Sequence, residues 1–587
     1  MPSAAVSPGL ARLRDWMLAK GRSPYPFQEQ TWSAFLSGDS GLVNVPTGAG
    51  KTFAAYLGPL AELIDEHDRD DTFAPGLRIL YLTPLRSVSR DVEKALKEPI
   101  EALNLPIRVE SRTGDTSSSL RARQKKLMPE VLITTPESLS LLLSYPDARE
   151  RFASLRCIIA DEWHELLGSK RGTQSELAIA RLRTFAPHVR TWALSATIGN
   201  LELAAQAALG MNDEPALITA QIDRPIELEA ILPTEPGQLA WAGHLGLRML
   251  APVIDWLDPD RSTLVFCNTR SQAELWFQAI RDARPEWDQQ MALHHGSVDR
   301  DERERIEHGL KSGDIRLVVC TSSLDLGVDF APVERVMQIG SPKGIARLIQ
   351  RAGRSGHRPG ETCRIACVPT HALELVEIAA ARRAIERGEI EDRETYHKPL
   401  DVLAQHLVTC ALGGGFTPGE LFDEVCRSHA YQDLQRDEFD WALDLVKRGG
   451  ETLKAYPRYH KVVEVDGLCT VPDKRIAQIH RMNVGTITSE AVLSVRYVNG
   501  RSIGFIEENF VGRMRKGQKF VFGGKLVKFE SIREMTAFVR PASGSTRHTP
   551  HWAGTKLPIS DSLGYSVRRT LEQVGGGDTS LPELSAF

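Results

Sequence analysis

At 587 residues the chain is too long for one hydrophobic core, and roughly three to five domains are expected. With 42% hydrophobic and 25% charged residues, it is neither disordered nor fibrous. A formal net charge of -4 excludes a generally basic nucleic-acid coat, but it leaves room for a basic groove within a mildly acidic exterior.

The N-terminus lacks the apolar core of a signal peptide, and no uninterrupted apolar stretch is long enough for a membrane span. A series of short apolar, β-rich runs then follows one pattern. Each ends in small or polar residues, and a helical segment comes next. Gly41–Val45 leads into PTGAGKT, Arg78–Leu82 into TPLR, and Val131–Ile133 into TTPES. Arg156–Ala160 leads into DEWH and Thr191–Leu194 into SAT. Continuous apolar runs of this length suit parallel strands buried on both faces, with helices as crossovers. The pattern restarts after prolines at 225, 233, 236 and 252. Ser262–Phe266 leads into CNTR, Met291–Leu293 into HHGS, Ile315–Val319 into CTSSLDLGVD and Arg335–Ile339 into GSP. Ligands of open parallel sheets bind beyond the carboxyl ends of strands, where these polar motifs sit. The two α/β domains are therefore expected to face one cleft.

Cys363 and Cys367 are spaced CxxxC, but no second Cys or His pair follows at a zinc-like distance. The other cysteines, such as Cys157, Cys267 and Cys320, lie in apolar runs as small core residues. This usage fits a reducing, cytoplasmic setting. From about residue 375 the chain reads as amphipathic helices, including Asp401–Leu412 and Asp437–Arg448. From about residue 460, β-branched residues alternate with glycine turns, as at Ser494–Val498 and Lys519–Phe522. The expected division is 1–220, 221–375, 376–458 and 459–587.

PTGAGKT, Pro46 to Thr52, is a phosphate-cradling loop. Thr47, Gly48, Ala49 and Gly50 offer backbone N–H groups, Lys51 reaches the β- and γ-phosphates, and the Thr52 hydroxyl ligates Mg²⁺. The strict pattern wants Gly where Val45 stands, but the turn glycines are present. Phosphoryl transfer to water also needs a metal-holding acid and a group that orients the water. Asp161 and Glu162 are assigned those roles, with His164 two residues on as a link to the neighbouring domain. QRAGRSGH supplies Gln350, Arg351 and Arg354 as the positive side of the reaction.

In this order the motifs resemble superfamily 2 helicases of the DEXH type. More narrowly they resemble the large helicase-related (Lhr) family and its bacterial ligase-associated DEXH-box branch. FQEQ, PTGAGKT, TPLR, RTGDTS, TTPESL, DEWHELLGSKRG, SAT, FCNTR, TSSLDLGVD and QRAGRSGH carry the resemblance over residues 20–370. It implies two RecA-like parallel-sheet domains in tandem, then a helical winged-helix domain and a β-rich nucleic-acid-contacting domain. It also implies ATP and Mg²⁺, a DNA-dependent ATPase, and 3′-to-5′ unwinding of tailed duplexes along single-stranded DNA in repair. The setting it implies is bacterial and nucleoid-associated, with a DNA ligase or nuclease as partner. An RNA or RNA–DNA hybrid helicase, or an ATP-switched clamp without productive unwinding, is the alternative.

Residue by residue, the resemblance has Gln28 read the adenine edge, with Phe27 or Tyr25 beside the base. Ser195 and Thr197 couple hydrolysis to movement, and Gly327 and Asp329 touch the nucleotide. Thr83, Arg86, Thr135, Arg270 and Thr321 lie along the strand, mostly against phosphate. His357 stands where many relatives have a second arginine finger. It either replaces that contact or caps a turn. Trp552 either stacks on a base, as the resemblance implies, or covers a local apolar patch. The run Arg513, Arg515, Lys516 and Lys519 reads as a solvated turn. Relatives usually continue past the equivalent of Phe587, so the chain reads as a truncated core.

Overall fold

The computed structural model describes residues 7–46, 48–69, 76–86, 88–196, 198–211, 214–220, 225–235, 237–241, 243, 245–325, 333–356, 361–449, 459–485, 492–533, 535–544, 546, 548–550 and 559–587. The chain forms two compact units, Met1–Gln221 with Asp392–Ile487 and Ile222–Glu391 with Thr488–Phe587.

The first unit holds a seven-stranded sheet. Its strands are β1 (Gly41–Asn44), β2 (Ile79–Leu82), β3 (Val109–Arg112), β4 (Val131–Thr134), β5 (Cys157–Ala160), β6 (Arg190–Ser195) and β7 (Ala216–Thr219). Their order is β3-β4-β2-β5-β6-β1-β7, and every pairing is parallel. β2, β4 and β5 are buried at every position, as strands covered on both faces must be. The pairing aligns Asn44 with Ser195, Ala160 with Ala193, and Leu82 with both Ala160 and Thr134. The polar motifs after these strands therefore emerge along one edge.

The same unit contains helices Leu400–Leu412, Pro418–Cys426 and Arg436–Arg448, an antiparallel hairpin of Val463–Val465 with Leu468–Thr470, and helix Lys474–Met482. Helices and wing share one core, in which Leu403, Leu407, Tyr431 and Phe439 meet Val462, Cys469 and Ala477. Each fully buried leucine there contributes roughly 1.5–3 kcal/mol. Arg181 Nη1 donates to Glu424 Oε2 at 3.1 Å, and the Ala430 N–H donates to Glu176 at 2.8 Å, joining this module to the sheet's helix Lys170–Phe185.

The second unit holds β8 (Ile226–Ala230), β9 (Thr263–Cys267), β10 (Met291–His294), β11 (Leu317–Cys320), β12 (Arg335–Ile339) and β13 (Cys363–Val368). They are ordered β10-β11-β9-β12-β13-β8 and are parallel throughout. One apolar cluster covers each face. Cys363 and Cys367 lie buried in β13 with free thiols, as core residues.

A five-stranded sheet follows in the order Ser502–Glu507, Val492–Tyr497, Thr536–Pro541, Lys525–Arg533, Lys519–Phe522. Only the pairing of Val492–Tyr497 with Thr536–Pro541 is parallel. Gly523 and Gly524, at φ 59° and 70°, make the two-residue turn that a tight hairpin of this hand requires. Both of their N–H groups donate to Glu274, at 2.5 and 2.9 Å, which ties the sheet to helix Arg270–Ala283. The chain ends in helices Asp561–Gly575 and Pro582–Ala586, which pack near helix Leu373–Glu386.

Two parallel α/β domains, a helical module and a β-rich sheet are thus present. The limits read from composition divide the chain differently. The hairpin at 463–470 completes the core of the helices before it, and the residues after 560 are helical. Strands of three residues leave too short a pattern for composition to detect. Among the described residues, no helix is long and apolar enough to cross a membrane.

Candidate nucleotide and nucleic-acid sites

The loop after β1 leads into helix Lys51–Arg69, whose first N–H groups have no helical acceptor and suit an anion. Gly48 and Gly50 adopt φ of 78° and 87°. At Gly50 a Cβ would also stand 2.8 Å from Gln28 Nε2 and press on the end of that side chain. Ala49 is buried, and Thr52 is half-buried. Thr47 lies outside the described residues. Gln28 accepts from the Tyr25 N–H at 2.9 Å and donates to the Gly50 carbonyl at 3.0 Å, so the expected adenine reader is tied to the loop. Tyr25 stacks on Phe27 with centroids 5.7 Å apart. Phe27 is only 3% exposed and Tyr25 37%, so Tyr25 is the more open of the two rings.

Lys51 is buried, yet its Nζ has no hydrogen-bond partner among the described residues and lies 3.8 Å from Glu162 Oε2. Such an ammonium is costly unless an anion completes it. The orphaned donor and the glycine turn together fit a polyphosphate. Asp161 Oδ1 accepts from the Glu162 N–H at 2.9 Å, and Oδ2 accepts from the Tyr81 hydroxyl at 2.8 Å. Burial raises the Asp161 carboxyl to about 7, the Glu162 charge adds to this, and Lys51 opposes it. Two adjacent carboxyls beside the Thr52 helix suit a divalent cation. Glu162 sits at φ 46°, ψ 43°, a left-handed conformation that a non-glycine residue holds only under constraint.

His164 Nδ1 accepts from the Ala196 N–H at 3.1 Å, which leaves the proton of the neutral ring on Nε2. Burial lowers its pKa against the pull of Glu162 and Glu165, so the ring is neutral near pH 7. DEWH is thereby hydrogen-bonded to SAT within one unit. Ser195 is buried, and Thr197 lies outside the described residues.

The strand-contact set divides. Arg86 and Arg270 are exposed; Arg86 lies 3.7 Å from Asp115, and Arg270 donates to Ser297 Oγ at 2.9 Å. Thr83, Thr135 and Thr321 are instead enclosed, at 0%, 2% and 7% exposure. Thr135 caps helix Pro136–Leu143 through the Ser138 N–H. Each of these threonines, expected along the nucleic-acid strand, follows the end of a buried strand, at Leu82, Thr134 and Cys320. Arg171 connects two of the motifs, donating to the Pro84 carbonyl at 2.6 Å and to Glu137 at 2.5 Å. Burial raises the Glu137 pKa, but Arg171 outweighs it and the net shift is downward.

In the second unit, Arg351 is 2% exposed and fully engaged. Its Nε and Nη2 grip Asp325 at 2.8 and 3.0 Å, Nη1 donates to Gln338, and the guanidinium lies 4.7 Å from the Phe266 ring centroid. This is a framework arginine, in contrast to the catalytic role expected of it. Arg354 Nη2 donates to the Asp325 carbonyl at 2.7 Å. Gln350 Nε2 is buried without a hydrogen-bond partner among the described residues. Glu391 accepts from the Ile345 and Ala346 N–H groups, placing a carboxylate at the positive end of the helix that carries Gln350 and Arg351. Gly327, Asp329, His357 and Trp552 lie outside the described residues.

The sequence does not single out Tyr81, Arg171, Asp325 or Glu391 as site residues. Asp325 at least lies within TSSLDLGVD. Tyr81 looks like any strand aromatic, and Glu391 acts across 45 or more residues of chain.

Residues 25–204 match the DEAD/DEAH box helicase family, 247–359 the helicase conserved C-terminal domain, and 383–549 the large helicase-related protein winged helix domain. The ATP-dependent helicase Lhr-Core protein 2 of Thermococcus barophilus is 32% identical over 583 residues, spanning 96% of this chain and 67% of the relative. The Lhr helicase/uracil glycosylase of Escherichia coli is 30% identical over 96% of this chain, which spans only 41% of that protein. The structure of Mycobacterium smegmatis helicase Lhr bound to ssDNA and AMP-PNP is 31% identical, with a TM-score of 0.72 over 82% of this chain and 62% of that one. The DUF1998 helicase MrfA bound to DNA shares the fold, with a TM-score of 0.73 at 20% identity over 93% of this chain and 74% of that one.

Proposed function

Because the chain belongs to the large helicase-related family, we propose that it is an ATP-driven motor that tracks single-stranded DNA 3′ to 5′ and unwinds tailed duplexes. The observation that carries this reading is the buried Lys51 ammonium, without a hydrogen-bond partner among the described residues, beside Glu162 at the end of a glycine-turned loop. Gln28, Gly48, Ala49, Gly50, Lys51 and Thr52 would hold ATP, with Thr47 from the same loop. Thr52 and Asp161 would hold Mg²⁺, which when bound offsets phosphate charge. Glu162 takes the proton of the attacking water, and Arg354 and Gln350 stabilise the charge that develops on the transferring phosphoryl group. His164, bonded to the Ala196 N–H, relays the state of Glu162 to the SAT loop. Arg86 and Arg270 contact phosphates of the strand, and Trp552 stacks on a base.

The stretch DEWHELLGSKRG supports the ligase-associated branch, and with it a role in DNA repair beside a ligase or nuclease in a bacterial cytoplasm. The chain spans about two thirds of its archaeal relatives and about two fifths of the Escherichia coli protein. The reading therefore concerns the motor core. Unwinding should be measured on duplexes with matched DNA or RNA loading strands and with 3′ or 5′ tails. Unwinding from the 3′ DNA tail is expected. Equal or better unwinding from RNA, or from the 5′ tail, would overturn the substrate or the polarity.

A further inference from the structure

Inside the helical module, helices Leu400–Leu412 and Pro418–Cys426 bring three metal-ligating side chains together. His406 and Cys410 stand four residues apart, so they share one face of the first helix. Glu424 comes from the second. Their ligand atoms lie within 4.8 Å of one another, and His406 Nε2 is 3.3 Å from Cys410 Sγ. Bonds of about 2.0–2.1 Å to nitrogen and about 2.3 Å to sulfur around a tetrahedral zinc put those two atoms about 3.6 Å apart, so little movement is needed. All three residues are buried, at 7%, 3% and 4% exposure.

The carboxylate is only half satisfied. Arg181 Nη1 donates to Glu424 Oε2 at 3.1 Å, whereas Oε1 is buried without a hydrogen-bond partner among the described residues. An enclosed, unpaired carboxylate oxygen is costly unless something positive completes it. A donor on one oxygen, with the other left open, is also how an outer-sphere partner orients a ligating carboxylate. The donor set names the ion. Sulfur and imidazole nitrogen suit zinc, while Mg²⁺ and Ca²⁺ take oxygen.

We propose that His406, Cys410 and Glu424 bind a zinc ion, with a water as the fourth ligand. The thiol releases its proton to solvent as the sulfur joins the metal. The ion pins the two helices to each other. Through Glu424 it also fixes the carboxylate that Arg181 grips from helix Lys170–Phe185, so it braces the junction between the module and the seven-stranded sheet. This site is separate from the nucleotide loop and stands whether or not the motor reading holds.

The test is the metal content of the full chain after expression with added zinc or cobalt and gel filtration. About one zinc per chain is expected, and the cobalt form should show a thiolate-to-cobalt charge-transfer band in the near ultraviolet. Cys410→Ser should lose that band, and Cys410→Ser and His406→Gln should each bind zinc at least tenfold more weakly. Cys426→Ser, on the same helix as Glu424 but outside the cluster, should keep both metal and band. Wild type from zinc-depleted medium should melt below the zinc-loaded form. A wild type that carries no metal and shows no cobalt band overturns the site, and that result needs no variant to fold. Zinc retained in full by folded Cys410→Ser is held elsewhere and overturns it as well. Equal melting of the loaded and depleted forms overturns the bracing role.

Discussion

The two parallel sheets are built alike, but they treat the cation beyond the strand ends in opposite ways. In the first, Lys51 is buried without a hydrogen-bond partner among the described residues, and Glu162 Oε2 lies 3.8 Å away. In the second, the equally buried Arg351 is gripped through both Asp325 oxygens and Gln338. A buried charge that its own fold satisfies is framework, whereas one left incomplete marks where a ligand must supply the rest. Arginine suits the first task because its planar fork matches a carboxylate bidentately. Lysine suits the second because it is a compact point charge on a flexible stem.

The contrast is sharpest at the arginine pair. Arg354→Ala should lower DNA-stimulated phosphate release by roughly 10³-fold or more, as loss of an arginine finger does. Its melting temperature should fall less than that of Arg351→Ala. A turnover near wild type would move Arg354 into the framework class. Arg351→Ala should act mainly on folding. Removing one partner of a buried ion pair costs about 3–5 kcal/mol, so thermal melting should show a large drop. A variant that melts like wild type but has lost turnover would reverse the contrast. An effect visible only as a pH dependence is expected at Glu176, whose carboxyl burial pushes up to about 8. Its folded pKa lies above the unfolded value, so the native state keeps a proton that the unfolded state releases. Stability therefore falls as pH rises from the ordinary carboxylate range through about 8. Glu176→Gln should melt like wild type near pH 5 and above it near pH 9. Equal melting at both would show that Glu176 is not held neutral.

Much of this frame is legible in the sequence because buried parallel strands leave continuous apolar runs, as at Ile79–Leu82 and Cys157–Ala160. β3 (Val109–Arg112) is less legible, since VESR at a sheet edge alternates polar with apolar residues. The phosphate loop and DEWH are contiguous motifs and can be read directly. The distinction between Arg351 and Arg354 cannot, because it depends on Asp325 and Gln338, which reach Arg351 from 26 and 13 residues away. The enclosure of Thr83 and Thr135 is hidden for the same reason. A motif gives the residue type, and the sheet decides whether its side chain faces outward.

In the proposed motor the incomplete charge at Lys51 is completed by ATP, whose hydrolysis is coupled to a DNA strand. Phosphate release with and without single-stranded DNA, in wild type, Lys51→Ala and Glu162→Gln, tests it most directly. Strong stimulation by DNA is expected in the wild type, with its near-loss in both variants. Undiminished hydrolysis in either variant, or wild-type hydrolysis indifferent to DNA, would contradict it.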